Sequence, residues 1–104
     1  MIRQFDVFPT PDLRGSSAAP FICVLQSHYL DALNTVVVAP LILATASRTP
    51  SQVAVPISFD GVTYLLDISL MASIERQHLR RAKTSLAAYE DDIRRALDRL
   101  FTGF

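Results

Sequence analysis

The strongest constraint on the fold is an amphipathic pattern that runs from Leu86 to Phe104. Apolar side chains recur there every three or four residues, a spacing that gives a helix one apolar face. Acidic residues lie in the first half of the segment and arginines in the second half, as the helix dipole favours. With Ser85 as N-cap and Gly103 as C-cap, the sequence predicts one helix over about residues 86–102. The apolar positions are Leu86, Tyr89, Ile93, Ala96, Leu97 and Leu100.

Short apolar runs separated by turn residues precede this helix and predict strands. The clearest signal is Asp60-Gly61 between Ala54–Phe59 and Val62–Asp67, because this dipeptide favours the positive φ angles of a tight hairpin turn. Several strands followed by one helix predict a mainly β fold, an antiparallel sheet or barrel over about residues 4–80 with the helix packed on it. The other predicted strands are Gln4–Phe8, Phe21–Ser27, Thr35–Leu41 (where Pro40 indicates an edge or a bulge) and Ser69–Leu79.

The composition limits the partners that this chain can have. Its 104 residues are enough for one domain, residues 1–104. Half of the residues are apolar, which favours an apolar surface for a partner or a second copy. Ten basic and ten acidic residues cancel, whereas a protein that holds nucleic acid through phosphates carries a basic excess. The densest basic stretch, Arg76–Lys83, is either a solvated surface or a landing site for an acidic partner.

The sequence contains no residue pattern typical of catalysis, of a cofactor or of a metal site. His28 and His78 have no ligand-type residues at metal-binding spacing, and no glycine-rich phosphate loop is present. Cys23 lies within an apolar run and is expected to be a buried hydrophobic residue. We therefore predict a protein that binds other proteins and is not an enzyme, with no cofactor and no catalytic residue.

The chain is expected to act in the cytoplasm and not to insert into or bind a membrane. Its N-terminal residues lack the apolar segment of a secretory signal. The longest apolar run, Val36–Ala44, contains Pro40 and is too short to span a bilayer. A single cysteine also suits a reducing compartment.

Several short sequence fragments occur along the chain. Each fragment alone is a weak signal of a family, but their order and spacing together are specific. The fragments are Gln4-Phe5-Asp6-Val7-Phe8, Gln26-Ser27 with Asp31, Val38-Ala39-Pro40-Leu41, Met71-Ala72-Ser73, and Glu90, Asp92-Ile93, Ala96, Phe101 and Gly103. Together with the chain length, these fragments resemble the CcdB family of toxins, which poison DNA gyrase.

The resemblance implies an SH3-like antiparallel β-barrel, as in CcdB, Kid and MazF, assembled as a two-fold homodimer. It implies the toxin of a type II toxin–antitoxin system, which binds the A subunit of DNA gyrase and traps the gyrase–DNA cleavage complex. A cognate CcdA-like antitoxin would neutralise the toxin through a disordered acidic segment that folds on binding. The toxin–antitoxin complex would repress its own operon, so that the toxin meets DNA only indirectly.

The resemblance also assigns residues to the two protein partners. Thr102 stands where the family has a tryptophan that stacks on an arginine of gyrase, and a threonine cannot make that contact. Phe101 or Phe104 would then replace the missing ring. The implied gyrase-binding residues are Asp98, Phe101, Thr102, Gly103 and Phe104, with Tyr29 and Leu30. The implied antitoxin-binding residues are Arg76, Arg80, Arg81 and Arg99.

Two alternatives remain open. The chain is either a gyrase poison or a CcdB-like dimer that binds an antitoxin but is inactive on gyrase because of Thr102. A further alternative is an mRNA endonuclease on the same barrel, to which Arg14 would contribute a cation, although the zero net charge disfavours RNA.

Overall fold

The computed structural model describes residues 2–11, 18–46 and 51–103, with no side chain given for Ser51. In these residues one curled antiparallel sheet, shaped like half of a barrel, packs against a C-terminal helix. The predicted class, mainly β with one terminal helix, is confirmed. The strands are β1 (Asp6–Pro9), β2 (Phe21–Val24), β3 (Thr35–Leu43), β4 (Ala54–Phe59), β5 (Val62–Asp67), β6 (Ala72–Glu75) and β7 (Thr84–Ser85), and the helix is α1 (Glu90–Thr102).

The long strand β3 organises the sheet, whose order is β4-β5-β3-β2-β1-β7. One side of β3 pairs with β2, and the other side pairs first with β6 through Thr35–Val38 and then with β5 through Leu41–Leu43. Pro40 lies opposite Ile22 and between these two pairings. The expected edge or bulge at Pro40 is therefore wrong: the residue lies in a central strand, where the change of partner tolerates its missing N–H group.

The hairpin of β4 and β5 confirms the strongest local prediction, including both strand boundaries. Asp60 and Gly61 have φ angles of 51° and 76°, the left-handed values that a tight hairpin turn requires. The two strands then pair continuously from Phe59↔Val62 to Ala54↔Asp67.

The predicted strand Ser69–Leu79 is wrong in extent, since only β6 is extended. A 3₁₀ turn, Ile68–Leu70, precedes β6, and the buried carboxylate of Asp67 caps it by accepting hydrogen bonds from the backbone and hydroxyl of Ser69. A second 3₁₀ turn, Arg76–His78, follows β6 and ends where the side chain of Leu79 is buried. Local capping and burial interrupt the strand at both ends.

The helix begins four residues later than predicted. The backbone N–H of Leu86 donates to the carbonyl of Phe5 at 2.8 Å and holds Leu86 against the sheet. Ser85 is therefore not the N-cap of α1: its hydroxyl accepts from the N–H of Ala87 at 3.2 Å, at the start of a 3₁₀ turn, Ala87–Tyr89, that precedes α1. The predicted C-cap is confirmed: Gly103 has φ 83° and donates its N–H to the carbonyl of Arg99.

Both faces of the sheet are buried, as the apolar run of β2 predicts. Cys23 joins the large core on one face, whereas Ile22 and Val24 join a smaller cluster on the other. The helix packs on the large core through Ile93 and Ala96, which are fully buried, while Leu100 at the end of the predicted apolar face is exposed. None of the helices that the described residues form is both long enough and apolar enough to span a membrane.

Cys23 confirms the prediction of a buried hydrophobic residue. Burial raises the pKa of its thiol to about 12, with a smaller contribution from the negative charge of Asp6. The thiol is therefore protonated at neutral pH and is a poor nucleophile there.

Candidate functional site

The helix tip, defined as Asp98 with Phe101–Gly103, projects away from the core. Phe101 is 70% exposed, so its ring does not pack on the sheet and is accessible to a partner. The hydroxyl of Thr102 donates to the carbonyl of Asp98 at 2.6 Å, so this side chain is turned back on its own helix. Exposed aromatic residues of this kind often dominate the energy of protein interfaces. Phe104, which sequence reasoning placed in the same contact, lies outside the described residues.

A second exposed apolar surface is the 28–34 loop, between β2 and β3. Ser27 caps the 3₁₀ turn His28–Leu30 by accepting from the N–H of Tyr29 at 3.2 Å. The ring of Tyr29 stacks on His28 with centroids 4.8 Å apart, yet 86% of Tyr29 is exposed. Leu30 and Leu33 are each half exposed. A single exposed apolar side chain is ordinary on a protein surface, but three large ones in one short loop form a patch of the kind that marks an interaction site.

The tip and the 28–34 loop lie at opposite ends of α1. His28 lines one pocket with Ser85 and Glu90, the first residue of the helix. Arg99, near the other end, donates to the carbonyl of Gln52 at 3.3 Å. A helix of this length rises about 18 Å. One protomer therefore presents two separate apolar surfaces, and the predicted gyrase-binding residues do not form one contiguous patch.

The four arginines assigned to an antitoxin lie in three places. Arg80 and Arg81 line a pocket of about 430 Å³ with Pro9, Pro11 and His78. An apolar groove of about 340 Å³ adjoins this pocket, since Thr10, Pro11 and His78 line both. Among the described residues, neither Arg80 nor Arg81 has an ion-pair partner. Arg99 lies on α1, and Arg76 lies beside the 28–34 loop.

The comparison with known families identifies the chain. The model of the CcdB protein matches residues 4–103, nearly the whole sequence. The chain belongs to the CcdB family. A search of curated proteins found no match. Membership of the CcdB family suggests a toxin of a toxin–antitoxin system that acts on DNA gyrase, and a gyrase poison is not a catalyst.

The described residues of this CcdB-family chain bring together no group of three or more His, Cys, Asp or Glu side chains that could hold a metal ion. His28 accepts a long hydrogen bond, 3.5 Å, from the N–H of Gln4, and His78 lies at the surface near Glu75. Arg14, the residue considered for RNA cleavage, lies outside the described residues.

Sequence reasoning missed two features of the 28–34 loop in this CcdB-family chain. Leu33 belongs to its exposed apolar surface, and the only signal in the sequence is a leucine within a polar connection. Arg76 holds the loop through hydrogen bonds to the carbonyls of Leu33 and Leu30, at 3.0 and 3.4 Å. No local pattern indicates such contacts, because Arg76 is 43 residues from Leu33 in sequence.

Proposed function

We propose that this chain is the toxin of a type II toxin–antitoxin system, which binds the A subunit of DNA gyrase and traps the gyrase–DNA cleavage complex. The observation that carries the proposal is the exposed ring of Phe101 on a helix whose other face is anchored by Ile93 and Ala96. A rigid helix that presents an aromatic side chain loses little conformational entropy on binding. Family membership supplies the partner class.

The same proposal includes an SH3-like barrel and a two-fold homodimer. The support for the barrel is the curled sheet, in which β3 changes partner between β6 and β5. The support for the dimer is exposed apolar surface outside the proposed gyrase contacts: Leu70 and Leu100 are both more than one-third exposed. A two-fold dimer presents both apolar surfaces twice and suits a symmetric target.

Gyrase recognition is proposed to involve Asp98 and Phe101–Phe104 of the tip, with Tyr29 and Leu30 of the loop. Thr102 cannot stack, and its hydroxyl is already bonded within the helix. Phe101 therefore supplies the aromatic face for an arginine of gyrase, an interaction that contributes about 0.5–2 kcal/mol. Because the tip and loop lie at opposite ends of α1, the gyrase surface must be extended.

The antitoxin is proposed to bind Arg80 and Arg81, with contributions from Arg76 and Arg99, and the complex to repress its operon in the cytoplasm. A cationic pocket beside an apolar groove fits an extended segment with acidic and apolar residues. Direct DNA binding by the toxin is not part of the proposal, since the chain carries no basic excess.

Charge reversal tests the antitoxin surface. The double variant Arg80→Glu with Arg81→Glu is expected to weaken binding of the cognate antitoxin at least about tenfold at low salt, because like charges then face its acidic segment. The double Arg→Lys variant keeps both charges and is the matched control. Isothermal titration calorimetry over a salt series measures the difference, which should shrink as salt rises. Equal affinity of the reversed and native proteins at low salt would refute this surface.

A supercoiling and DNA-cleavage assay tests the gyrase proposal. Native protein and Thr102→Trp are compared on gyrase from the organism that encodes the chain. We expect the native protein to trap cleaved DNA, with Phe101 as the aromatic contact. If only Thr102→Trp traps it, the native chain is inactive on gyrase, and the alternative of a CcdB-like dimer that binds an antitoxin takes first place. If neither traps cleaved DNA, the gyrase proposal fails.

A further inference from the structure

The side chain of Arg76 contacts the 28–34 loop through hydrogen bonds at the protein surface. It is only partly exposed, and its Nε donates to the carbonyl of Leu33 at 3.0 Å. Its Nη2 donates to the carbonyl of Leu30 at 3.4 Å. One guanidinium therefore bridges two carbonyls on the 28–34 loop, a geometry that the planar fork of arginine allows and a lysine does not.

The backbone of Arg76 is itself fixed by the sheet. Arg76 directly follows β6, where the pairing of Thr35 with Glu75 ends the ladder to β3. Its N–H donates to the carbonyl of Asn34 at 2.8 Å, and its own carbonyl accepts from the N–H of Leu79 at 3.0 Å. Because these bonds fix both the N–H and the carbonyl of Arg76, its guanidinium holds the loop at a fixed position relative to the sheet.

Apart from the guanidinium of Arg76, the hydrogen bonds of the loop in the described part of the chain lie at its two ends or within it. Ser27 caps the 3₁₀ turn, and the N–H of Leu33 donates to the carbonyl of Leu30 at 3.1 Å. Tyr29, Leu30 and Leu33 expose large apolar surfaces, so their burial does not stabilise the loop. An exposed apolar loop without anchoring contacts must be ordered when a partner binds, which weakens binding.

We infer that Arg76 is a positioning residue, which holds the 28–34 loop in the conformation that presents Tyr29, Leu30 and Leu33 to gyrase. The inference rests on the proposed function, in which Tyr29 and Leu30 contact the gyrase A subunit. It assigns Arg76 a role within the gyrase-binding surface in place of the contribution to antitoxin binding proposed above, which it leaves to Arg80, Arg81 and Arg99. The preorganised loop raises affinity because less conformational entropy is lost on binding.

The first measurement is made on the isolated protein, without gyrase. In Arg76→Gln, amide hydrogen exchange of Leu33 is expected to be about tenfold faster than in the native chain, since the loop opens more often. Arg76→Lys keeps the charge but loses the bridge, so it should behave like Arg76→Gln. Lys83→Gln removes an exposed charge beside β1, to which the N–H of Lys83 donates, and should leave the exchange unchanged. Exchange at Leu33 that is equal in the native chain and both Arg76 variants would overturn the inference.

The second measurement is a double-mutant cycle for binding to the purified gyrase A subunit. Arg76→Gln is expected to weaken binding about five- to tenfold in the native background, and less than about twofold when Tyr29 and Leu30 are already alanine. In a Phe101→Ala background, which changes the distant tip, the full effect should return. A simple loss of stability would weaken binding equally in all three backgrounds, and that result would overturn the inference.

These two measurements separate the inference from the proposed function. If neither the native chain nor any variant binds gyrase, the gyrase proposal fails, and the role of Arg76 in presenting a gyrase contact fails with it. Faster exchange at Leu33 would still show that Arg76 holds the loop. If gyrase binds and the cycle is additive with the Tyr29 and Leu30 changes, only the positioning role is refuted.

Discussion

Replacing Phe101 with alanine is expected to weaken binding to the gyrase A subunit by about 30- to 1,000-fold, the loss typical of a central aromatic contact. Phe101 is 70% exposed on the last turn of α1, whereas Thr102 has no ring and bonds to Asp98. The free energy of unfolding should change by less than about 0.5 kcal/mol, because Phe101 contributes little to the core. Surface plasmon resonance and chemical denaturation measure the two quantities.

Two further substitutions show which property of Phe101 matters. Phe101→Tyr keeps the ring and should retain binding within about threefold, whereas Phe101→Leu keeps apolar bulk but loses the stacking and should bind about 2- to 30-fold more weakly than the native chain, a smaller loss than for the alanine variant. Val62→Ala removes apolar surface from an exposed hairpin residue outside the proposed contacts and serves as the control. If Phe101→Ala binds gyrase as tightly as the native chain, Phe101 is not the contact that replaces tryptophan.

The sequence predicts those parts of the fold that depend on local chemistry. Asp60-Gly61 fixes the hairpin of β4 and β5 because the required φ angles are a property of these two residues. The continuous apolar run of β2 likewise predicts burial on both faces. The C-cap at Gly103 is equally local, since a glycine adopts its positive φ without strain.

The start of the helix could not be predicted because it depends on a distant strand. Phe5 has a φ angle of 73°, which is rare for a bulky residue. No pattern in the sequence predicts this conformation. In this conformation its N–H donates to Val24 and its carbonyl accepts from Leu86. The second contact keeps Leu86 out of the helix, although the apolar period includes it.

The candidate site shows the same division. The helix period leaves Phe101 outside the predicted apolar face, but it does not by itself predict the exposed tip, because Leu100 lies on that face and is exposed as well. The role of Arg76 does not follow from any period, since it depends on the pairing of β6 with β3. A dense run of basic residues in the sequence separates, in three dimensions, into a loop-holding arginine and a pair beside an apolar groove.

The position of the helix tip depends on the packing of α1 against the sheet, to which the side chain of Ile93 contributes most directly. Ile93 is fully buried in the large core, together with Leu41, Leu66 and Ile68. Ile93→Ala is expected to lower the free energy of unfolding by about 2–5 kcal/mol, through lost burial and a residual cavity. The higher helix propensity of alanine offsets only a few tenths of a kcal/mol of this loss.

Chemical denaturation at fixed protein concentration measures this effect, with Leu100→Ala as the matched control on the same helix. Leu100 is 38% exposed, so removing its side-chain carbons should cost less than about 1 kcal/mol. Domains of this size have a total stability of about 5–15 kcal/mol, so Ile93→Ala removes a large fraction of it. Gyrase binding should fall in proportion to the unfolded population, and low temperature should restore it. Equal losses for Ile93→Ala and Leu100→Ala would mean that the core does not hold the helix, and the tip would then lack the rigid support on which its affinity depends.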